Sequence, residues 1–371
     1  MSRQLFICEN PFQTLVAIIM KYQMFTDDIT DIILTNRSSG TEERYKNLCD
    51  ISLFRHVFLF PTNGCHPNKK NRTYYINQAR CITHGCFLNE MDLVTEDYEQ
   101  IYSLEINCLT AAIVNQLQSR HILPQVNLID EGFGTYTNLY RKHIFGFHKG
   151  RIIIEKISNY MRHKKSIISL IQNIYLFQAS LICWDIPFEI QKIQAPDFKK
   201  YPELKEKINY VFGYNQIRKE FEVPYVFFEN CTYQDTGENK DLELILKIAE
   251  LVGKDNLIVK LHPRTKNNRF SQYNIATNSK QGIPWEIIAM NMQDNDDRTF
   301  LTISSGSVIN YRLLFEKSYR TIMLYKCFED EFLIEKSVLE FYEKFSRMYP
   351  ENIVIPKTLN DFVQIIQKKG K

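Results

Sequence analysis

An excess of one charge is the first thing missing: 46 Lys and Arg stand against 43 Asp and Glu in 371 residues, a net of +3. That balance excludes a strong overall polycation, and a nucleic-acid partner is not expected. Paired cysteine knuckles are missing too. The nine cysteines, at 8, 49, 65, 81, 86, 108, 183, 231 and 327, are odd in number and scattered, as free thiols of a reducing, cytoplasmic protein would be. Cys65, His66, Cys81, His84 and Cys86 invite zinc, but they contain no Cys-x2-Cys pair, and a polar surface loop fits them better. Long apolar runs are also absent. Leu5-Phe6-Ile7-Cys8 is broken at once by Glu9, Asn10 and Pro11, as a first strand and helix rather than a secretion signal would be. Residues 166 to 184 are apolar on balance but carry Gln172, Asn173 and Gln178, so no membrane span is expected. At 44% hydrophobic and 24% charged residues the composition is globular, and the length suits two domains, each able to bury a core.

What is present is organised around residues 254 to 312. Lys254-Asp255-Asn256 lead into Leu257-Ile258-Val259-Lys260-Leu261, a short β-branched run of the kind that forms a buried strand, and it stops at His262-Pro263-Arg264. Proline cannot continue the ladder, so a histidine is presented in a turn at the strand's carboxyl end. Thr299 to Ile303 reads as a second strand, followed by Ser304-Ser305-Gly306-Ser307 and by Val308, Ile309, Leu313 and Leu314 at helical spacing. Amides at a helix start, together with serine hydroxyls, form an anion site whose usual occupant is phosphate. A plain turn and a plain helix cap are the simpler alternatives. On neighbouring strands of one open sheet, His262 and Ser304-Ser305 would lie where α/β proteins bind ligands.

The amino-terminal part opens as β-loop-α-β, the start of a doubly wound α/β domain. Gln4 to Cys8 is followed by Glu9-Asn10-Pro11-Phe12-Gln13, then Leu15 to Met24 at helical periodicity, then a strand from Asp31 to Leu34. Asn10 and Gln13 sit in the first strand-end loop, where their amides either meet a ligand or cap and turn the chain. Residues 55 to 60 read as a third strand, 97 to 104 as a fourth, and 108 to 117 as a helix. Val126 to Ile129 is a strand ending in Asp130-Glu131-Gly132-Phe133-Gly134. Two acids at one strand tip repel, and partial burial raises the proton affinity of one, which suits a general base near neutral pH. The glycines permit a tight turn and close approach of a ligand; an acidic turn is the alternative.

Residues 141 to 165 are basic, with Arg141, Lys142, Lys149, Arg151, Lys156, Arg162, Lys164 and Lys165 against Glu155 alone. Beside an amphipathic helix over 166 to 184 such a segment rests on anionic lipid, although a solvated helix face is the commoner outcome. Pro187, Pro196 and Pro202 mark a linker with a hinge near 190 to 215. This divides the chain into a first domain of residues 1–200, a second of 215–355, and a closing helix in 356–371, expected to pack back on the first domain. In the second domain Val223 to Phe228 is a strand and Asp241 to Leu251 a helix. Gly282-Ile283-Pro284-Trp285-Glu286 begins another helix, which holds Glu286 near a helix start, where the dipole favours a negative charge.

The ordered set resembles glycosyltransferase family 52, the bacterial lipooligosaccharide and capsule sialyltransferase group, and related bacterial polysialyltransferases. The opening strand with Asn10-Pro11-Phe12-Gln13, the acidic pair and glycine Asp130-Glu131-Gly132, His262-Pro263, Pro284-Trp285-Glu286 and Ser304-Ser305 carry the resemblance over about residues 4 to 315. It implies a GT-B fold of two Rossmann-like domains with the active site in the interdomain cleft. It also implies a CMP-sialic acid donor, a glycan or glycolipid acceptor, and inversion at the anomeric carbon with no metal or other cofactor. Carried over by residue, Glu131 is the general base, Asp130 positions it, and His262 hydrogen-bonds and protonates the departing CMP phosphate. Ser304 and Ser305 cradle that phosphate, Glu286 accepts the ribose hydroxyls, and Lys260 and Pro263 complete the donor side. Asn10, Gln13 and Gly132 fall to substrate binding. Glu9-Asn10 stands where a threonine is common in the family, and the second acid is Glu rather than Asp. The implied location is the cytoplasm, with peripheral contact at the inner face of the membrane through 141 to 184; a homodimer is allowed.

Other readings stay open. A related transferase would move glucose or another nonulosonic acid. A metal-dependent nucleotide-sugar transferase would use Asp294-Asn295-Asp296 as its Asp-x-Asp, although this triplet lies away from the other motifs. A non-catalytic polyanion-binding protein would depend on residues 141 to 165.

Overall fold

The computed structural model describes residues 2–36, 38–60, 96–145, 164–217, 219–230, 240–293, 297–316, 319–328 and 334–369. The cysteine and histidine group of 65–86, Asp294-Asn295-Asp296 and most of the basic segment lie outside them. The chain forms two compact units, one of residues 1–131 and 135–211, the other of residues 132–134 and 212–371.

The first unit is a seven-stranded parallel sheet in the order β3-β2-β1-β4-β5-β6-β7. Its strands are β1 (Arg3–Cys8), β2 (Ile29–Thr35), β3 (Val57–Phe60), β4 (Gln100–Ser103), β5 (Gln125–Ile129), β6 (Ile171–Leu176) and β7 (Glu189–Lys192). The order reverses between β1 and β4, and at such a reversal the loops leave to opposite faces and open a crevice at the carboxyl ends. Leu5, Phe6, Ile7, Ile32, Ile33, Ile101, Val126, Leu128 and Ile129 are buried. Parallel strands covered on both faces carry such continuous apolar runs. Phe6 stacks on Tyr102 with ring centroids 4.6 Å apart at 14°.

The helix after β1 runs Pro11–Gln23, starting before the expected Leu15, because proline's fixed φ and missing N–H suit a first helical turn. Its far end is closed by Lys21, whose Nζ donates to the carbonyls of Phe25 at 2.8 Å, Thr26 at 3.2 Å and Asp28 at 2.8 Å.

The expected amphipathic helix over 166 to 184 is corrected. Only Ile167–Leu170 is α-helical there, with a single 3-10 turn at Ala179–Leu181; Ile171–Leu176 is β6, paired with β5 and β7. Asn173 and Gln172 looked like interruptions of an apolar face. In the strand Gln172 points to solvent, while buried Asn173 donates from Nδ2 to Asn127 Oδ1 at 2.8 Å across the β5–β6 ladder. Residues 189–192 then add an edge strand, and Pro202–Phe212 is a helix, so the chain enters the second unit at Phe212. No described helix is long and apolar enough to cross a membrane.

The second unit is a six-stranded parallel sheet in the order β10-β9-β8-β11-β12-β13. Its strands are β8 (Tyr225–Phe228), β9 (Leu257–Lys260), β10 (Ala276–Thr277), β11 (Thr299–Thr302), β12 (Arg320–Met323) and β13 (Ile353–Val354). Here the order reverses between β8 and β11. Trp285 fills the core, its ring edge-to-face with Phe228 at 4.7 Å, Phe300 at 4.9 Å and Phe221 at 5.5 Å. Each such pair contributes about 0.5–1.5 kcal/mol beyond burial. The helix Leu359–Lys369 groups with this unit rather than the first, burying Phe362 and Ile366.

Candidate functional site

In the first unit the candidate residues gather at the carboxyl ends of β1, β4 and β5, beside the reversal. Asn10 caps the Pro11–Gln23 helix, its Oδ1 accepting from the Gln13 amide at 2.9 Å, so its oxygen serves the local fold. Gln13 is fully buried. Its Oε1 accepts from the Glu9 amide at 2.5 Å, and its Nε2 is buried with no hydrogen-bond partner among the described residues. A buried donor without an acceptor is rare in a folded protein and marks a place for a ligand or a water.

Asp130 and Glu131 occupy different environments although adjacent. Asp130 is fully buried and accepts from the Tyr136 hydroxyl and from the Phe177 amide at 3.2 Å. It ties the end of β5 to the end of β6, which fixes the loop carrying Glu131. The Glu131 amide donates to Thr135 Oγ1 at 2.9 Å, and its carboxyl is part-buried. Burial, reinforced by the like charges of Glu105, Asp130 and Glu9, pushes the Glu131 carboxyl up to about 8. Glu9 follows β1 and Glu105 follows β4, so three strand ends converge on one proton. Glu9 is held by Asn107, whose Nδ2 donates to Glu9 Oε1 at 2.5 Å while its Oδ1 caps the Cys108–Ser119 helix.

Asp31 shows the opposite outcome in the same unit. Burial alone would raise its carboxyl, but Arg55, donating from Nε at 3.0 Å, and the Tyr98 hydroxyl at 2.6 Å hold it below the usual range. A buried acid with a cation is a structural tie; a buried acid among other acids is available to take a proton.

In the second unit the candidates lie at the ends of β8, β9 and β11. The turn after β9 is closed by the Thr265 amide donating to the His262 carbonyl at 2.9 Å, with Pro263 and Arg264 exposed. His262 Nδ1 accepts from the Arg264 amide at 3.1 Å, which places the proton of the neutral ring on Nε2. Beneath the turn, the buried Glu229 accepts from the His262 amide at 2.9 Å and from Thr265 Oγ1 at 2.6 Å. Arg269 bridges Glu229, at 3.1 Å, and Asp241, reached by Nη1 at 2.8 Å, all three buried.

Ser304 and Ser305 precede the helix Ser307–Phe315, whose N-cap, Gly306, offers no side-chain cap for the first-turn amides. Ser304 Oγ accepts from Asn230 Nδ2 at 2.6 Å, joining the ends of β8 and β11. The Ser305 amide is already engaged, donating to Thr302 Oγ1 at 2.9 Å. Glu286 is the second residue of the helix Trp285–Asn291 and is buried. Burial raises its carboxyl, against the Asn310 hydrogen bond and the Lys260 charge. Burial likewise pushes the Lys260 ammonium down to about 8, with Glu286 and Glu220 opposing. The dipole role expected of Glu286 thus joins a buried charge balance with Lys260.

Gly132, Phe133 and Gly134 belong to this second unit. The Phe133 amide donates to Asn310 Oδ1 at 3.0 Å, and Asn310 Nδ2 donates to Glu286 Oε1 at 2.9 Å. The Phe133 ring stacks on Tyr342 at 5.9 Å and lies where a Cβ on Gly306 would be, 1.9 Å from Phe133 Cδ1. Gly132 has φ of +96°, and a Cβ on it would stand 2.5 Å from Asn310 Oδ1. Gly132→Ala is therefore expected to cost about 1–3 kcal/mol, seen as a lower urea midpoint at unchanged m; an unchanged midpoint would refute the close approach.

The residues outside the sequence expectation are Glu105, Asn107, Glu229, Asn230, Asp241, Arg269 and Asn310. Glu229 and Asn230 directly follow the apolar run Val226-Phe227-Phe228, so the strand-end logic applied to His262 also reaches them. Arg269 and Asn310 carry no local signal. Among the described residues no group of three or more His, Cys, Asp or Glu is placed to hold a metal ion.

No protein-family model matches the chain, and no curated protein matches it. Solved structures do. The GT-B domain of a sialyltransferase from Photobacterium damselae is similar over 96% of this chain and 100% of that one, with a TM-score of 0.51 at 12% identity. The fold is GT-B. A UDP-GlcNAc 2-epimerase from Methanocaldococcus jannaschii is similar over 99% of this chain and 91% of that one, with a TM-score of 0.48 at 12% identity. MurG from Acinetobacter baumannii is similar over 99% and 89%, with a TM-score of 0.42 at 7% identity. At such identities the likeness is one of fold.

Proposed function

We propose that the chain is an inverting sialyltransferase of the family 52 type, moving sialic acid from CMP-sialic acid to a galactoside hydroxyl of a bacterial surface glycan in the cytoplasm. The observation that carries the proposal is Glu131: a strand-end carboxyl raised to about 8 by burial and three neighbouring acids. Such a group is part-ionised near neutral pH and takes a proton with real driving force. In the reaction Glu131 accepts the proton of the acceptor hydroxyl, and the oxygen attacks the anomeric carbon from the face opposite CMP. The bond to the phosphate oxygen breaks with inversion, and its electron pair leaves with the phosphate. His262, with its proton on Nε2, donates a hydrogen bond to that oxygen as negative charge builds on it. The Ser304 hydroxyl and the first amides of Ser307–Phe315 meet the phosphate charge, where fixed donors stabilise the departing group without reorganising. Glu286 takes the ribose hydroxyls, and the orphan Gln13 Nε2 meets the acceptor. A sialyltransferase domain among the structural neighbours supports the same direction.

The test is release of CMP from CMP-N-acetylneuraminic acid by the purified protein, with and without lactose, in EDTA. Lactose-dependent release is expected. No release together with no CMP binding would overturn the donor assignment, and release only after Mn²⁺ addition would overturn the metal-free mechanism.

A further inference from the structure

Asn107 follows β4 and carries no proposed chemistry, yet it is more than nine-tenths buried and both ends of its side-chain amide are used. Its Oδ1 accepts from the Thr110 amide at 2.8 Å and from the Thr110 hydroxyl at 3.1 Å, which caps the helix Cys108–Ser119. A cap needs only that oxygen. The other end, Nδ2, donates to Glu9 Oε1 at 2.5 Å, on a residue 98 positions earlier in the chain. This second bond joins the ends of β1 and β4, the two strands between which the sheet order reverses. Both ends of the clip are themselves fixed. Ser103 Oγ donates to the Glu105 carbonyl at 3.0 Å and lies 3.1 Å from the Thr110 hydroxyl, and the Glu9 amide donates to Gln13 Oε1. The groups that act on Glu131 from the elements around it are Glu105, Asp130 and Glu9, with the Tyr140 hydroxyl beside them. Glu9 also acts on the Cys8 thiol, near which Arg44 lies.

We propose that Asn107 is a positioning residue for the general base: it holds a charged Glu9 carboxylate toward Glu131, so that the proton these acids compete for rests on Glu131. The inference rests on the proposed role of Glu131. A carboxylate that accepts from an N–H or O–H donor is favoured in its charged form. Asp130 has such donors in the Tyr136 hydroxyl and the Phe177 amide, and Glu9 has one in Asn107. Among the described residues no donor reaches the Glu131 carboxyl. Neighbouring acids with donors keep their charge, and the buried acid without one takes the proton. Loss of the Asn107 donor removes that bias on the β1 side. Glu9 then competes for the proton, its charge fades, and Glu131 releases its own proton at a lower pH.

The test is the titration of the Glu131 carboxyl, followed by carbon-13 NMR in the full chain without nucleotide and identified by its loss in Glu131→Gln. Asn107→Ser keeps a capping oxygen but is too short to reach Glu9. It is expected to lower the Glu131 midpoint by about half a unit to one unit, the scale of one partly screened charge. Glu9→Gln should lower the midpoint at least as far, and Asn107→Ser should add nothing in that background. Asn107→Thr caps in the same way and serves if Asn107→Ser does not fold. In transfer assays the rising limb of the pH profile should move down by the same amount, with CMP affinity by calorimetry unchanged. An unchanged midpoint in Asn107→Ser would reduce Asn107 to a helix cap and overturn the proposal. An equal shift with and without Glu9, or no shift in Glu9→Gln, would overturn it as well. Absence of CMP-sugar turnover in the unmodified chain would instead remove the proposed function, and the titration would still decide what Asn107 does.

Discussion

Glu131→Gln is expected to retain CMP binding and to lose transfer by about 10²–10⁴-fold, the usual worth of a positioned base. Glutamine keeps the size and the hydrogen-bonding edge of the side chain but cannot take a proton. The pH dependence sharpens the test. With the carboxyl raised to about 8, transfer by the unmodified chain should climb with pH through that value and level off above it, because only the ionised form accepts the proton. That limb should be missing from whatever activity the variant keeps. Near-normal transfer by the variant would reassign the base.

The same group makes a separable claim about stability. A carboxyl whose folded value lies above its unfolded value of 4.5 binds its proton more tightly in the folded chain. Between these two values the folded chain holds more protons, so raising the pH costs stability across the interval, and the contribution is full only below the lower one. Glu131→Gln removes the cost. The variant should melt higher than the unmodified chain at pH 9 and equally at pH 4, and a lower melting temperature at pH 9 would show that Glu131 is held by a favourable partner instead.

Arg269→Ala should be the most destabilising single change in the second unit, at about 3–5 kcal/mol. The guanidinium is 7% exposed, and the carboxylates it bridges are 0% exposed at Glu229 and 1% at Asp241, so its removal strands two charges where water cannot reach them. The loss should appear as a fall in urea midpoint at unchanged m. The triple variant E229Q/D241N/R269M should recover much of it, because the penalty comes from unpaired charge rather than from lost attraction. A small effect of Arg269→Ala alone would mean that water or another cation reaches the acids. The change also bears on chemistry, since Glu229 accepts from the His262 amide and the Thr265 hydroxyl. With the network intact His262 is set on a rigid floor.

Much of this architecture was legible along the chain because each step is local. Leu257 to Val259 is apolar and β-branched, the proline three residues after Lys260 ends the ladder, and nothing distant is needed to put His262 at a strand tip. Asp130-Glu131 after Val126 to Ile129, and Ser304-Ser305 after Thr299 to Thr302, follow the same rule. The strand Ile171–Leu176 was not legible. Its neighbours β5 and β7, rather than its own pattern, provide the partner that satisfies Asn173, and a window of polar and apolar residues fits a helix equally well.

The sequence by itself determined the strands and turns that carry the candidate groups, and with them which functional groups arrive at strand ends, since hydrophobic period and backbone restriction act over a few residues. Only the tertiary structure decided what those groups became. Glu131 is a base candidate because the fold buries it and then brings Glu105 and Glu9, from strand ends far earlier in the chain, to crowd it with like charge. Asp31 is a structural tie because Arg55 and Tyr98 reach it. Asn310 is fixed because the Phe133 amide and Glu286 take both ends of its side-chain amide and Gly132 packs directly against it. Electrostatics and close packing depend on distance in space, and the fold alone sets which remote residues are near.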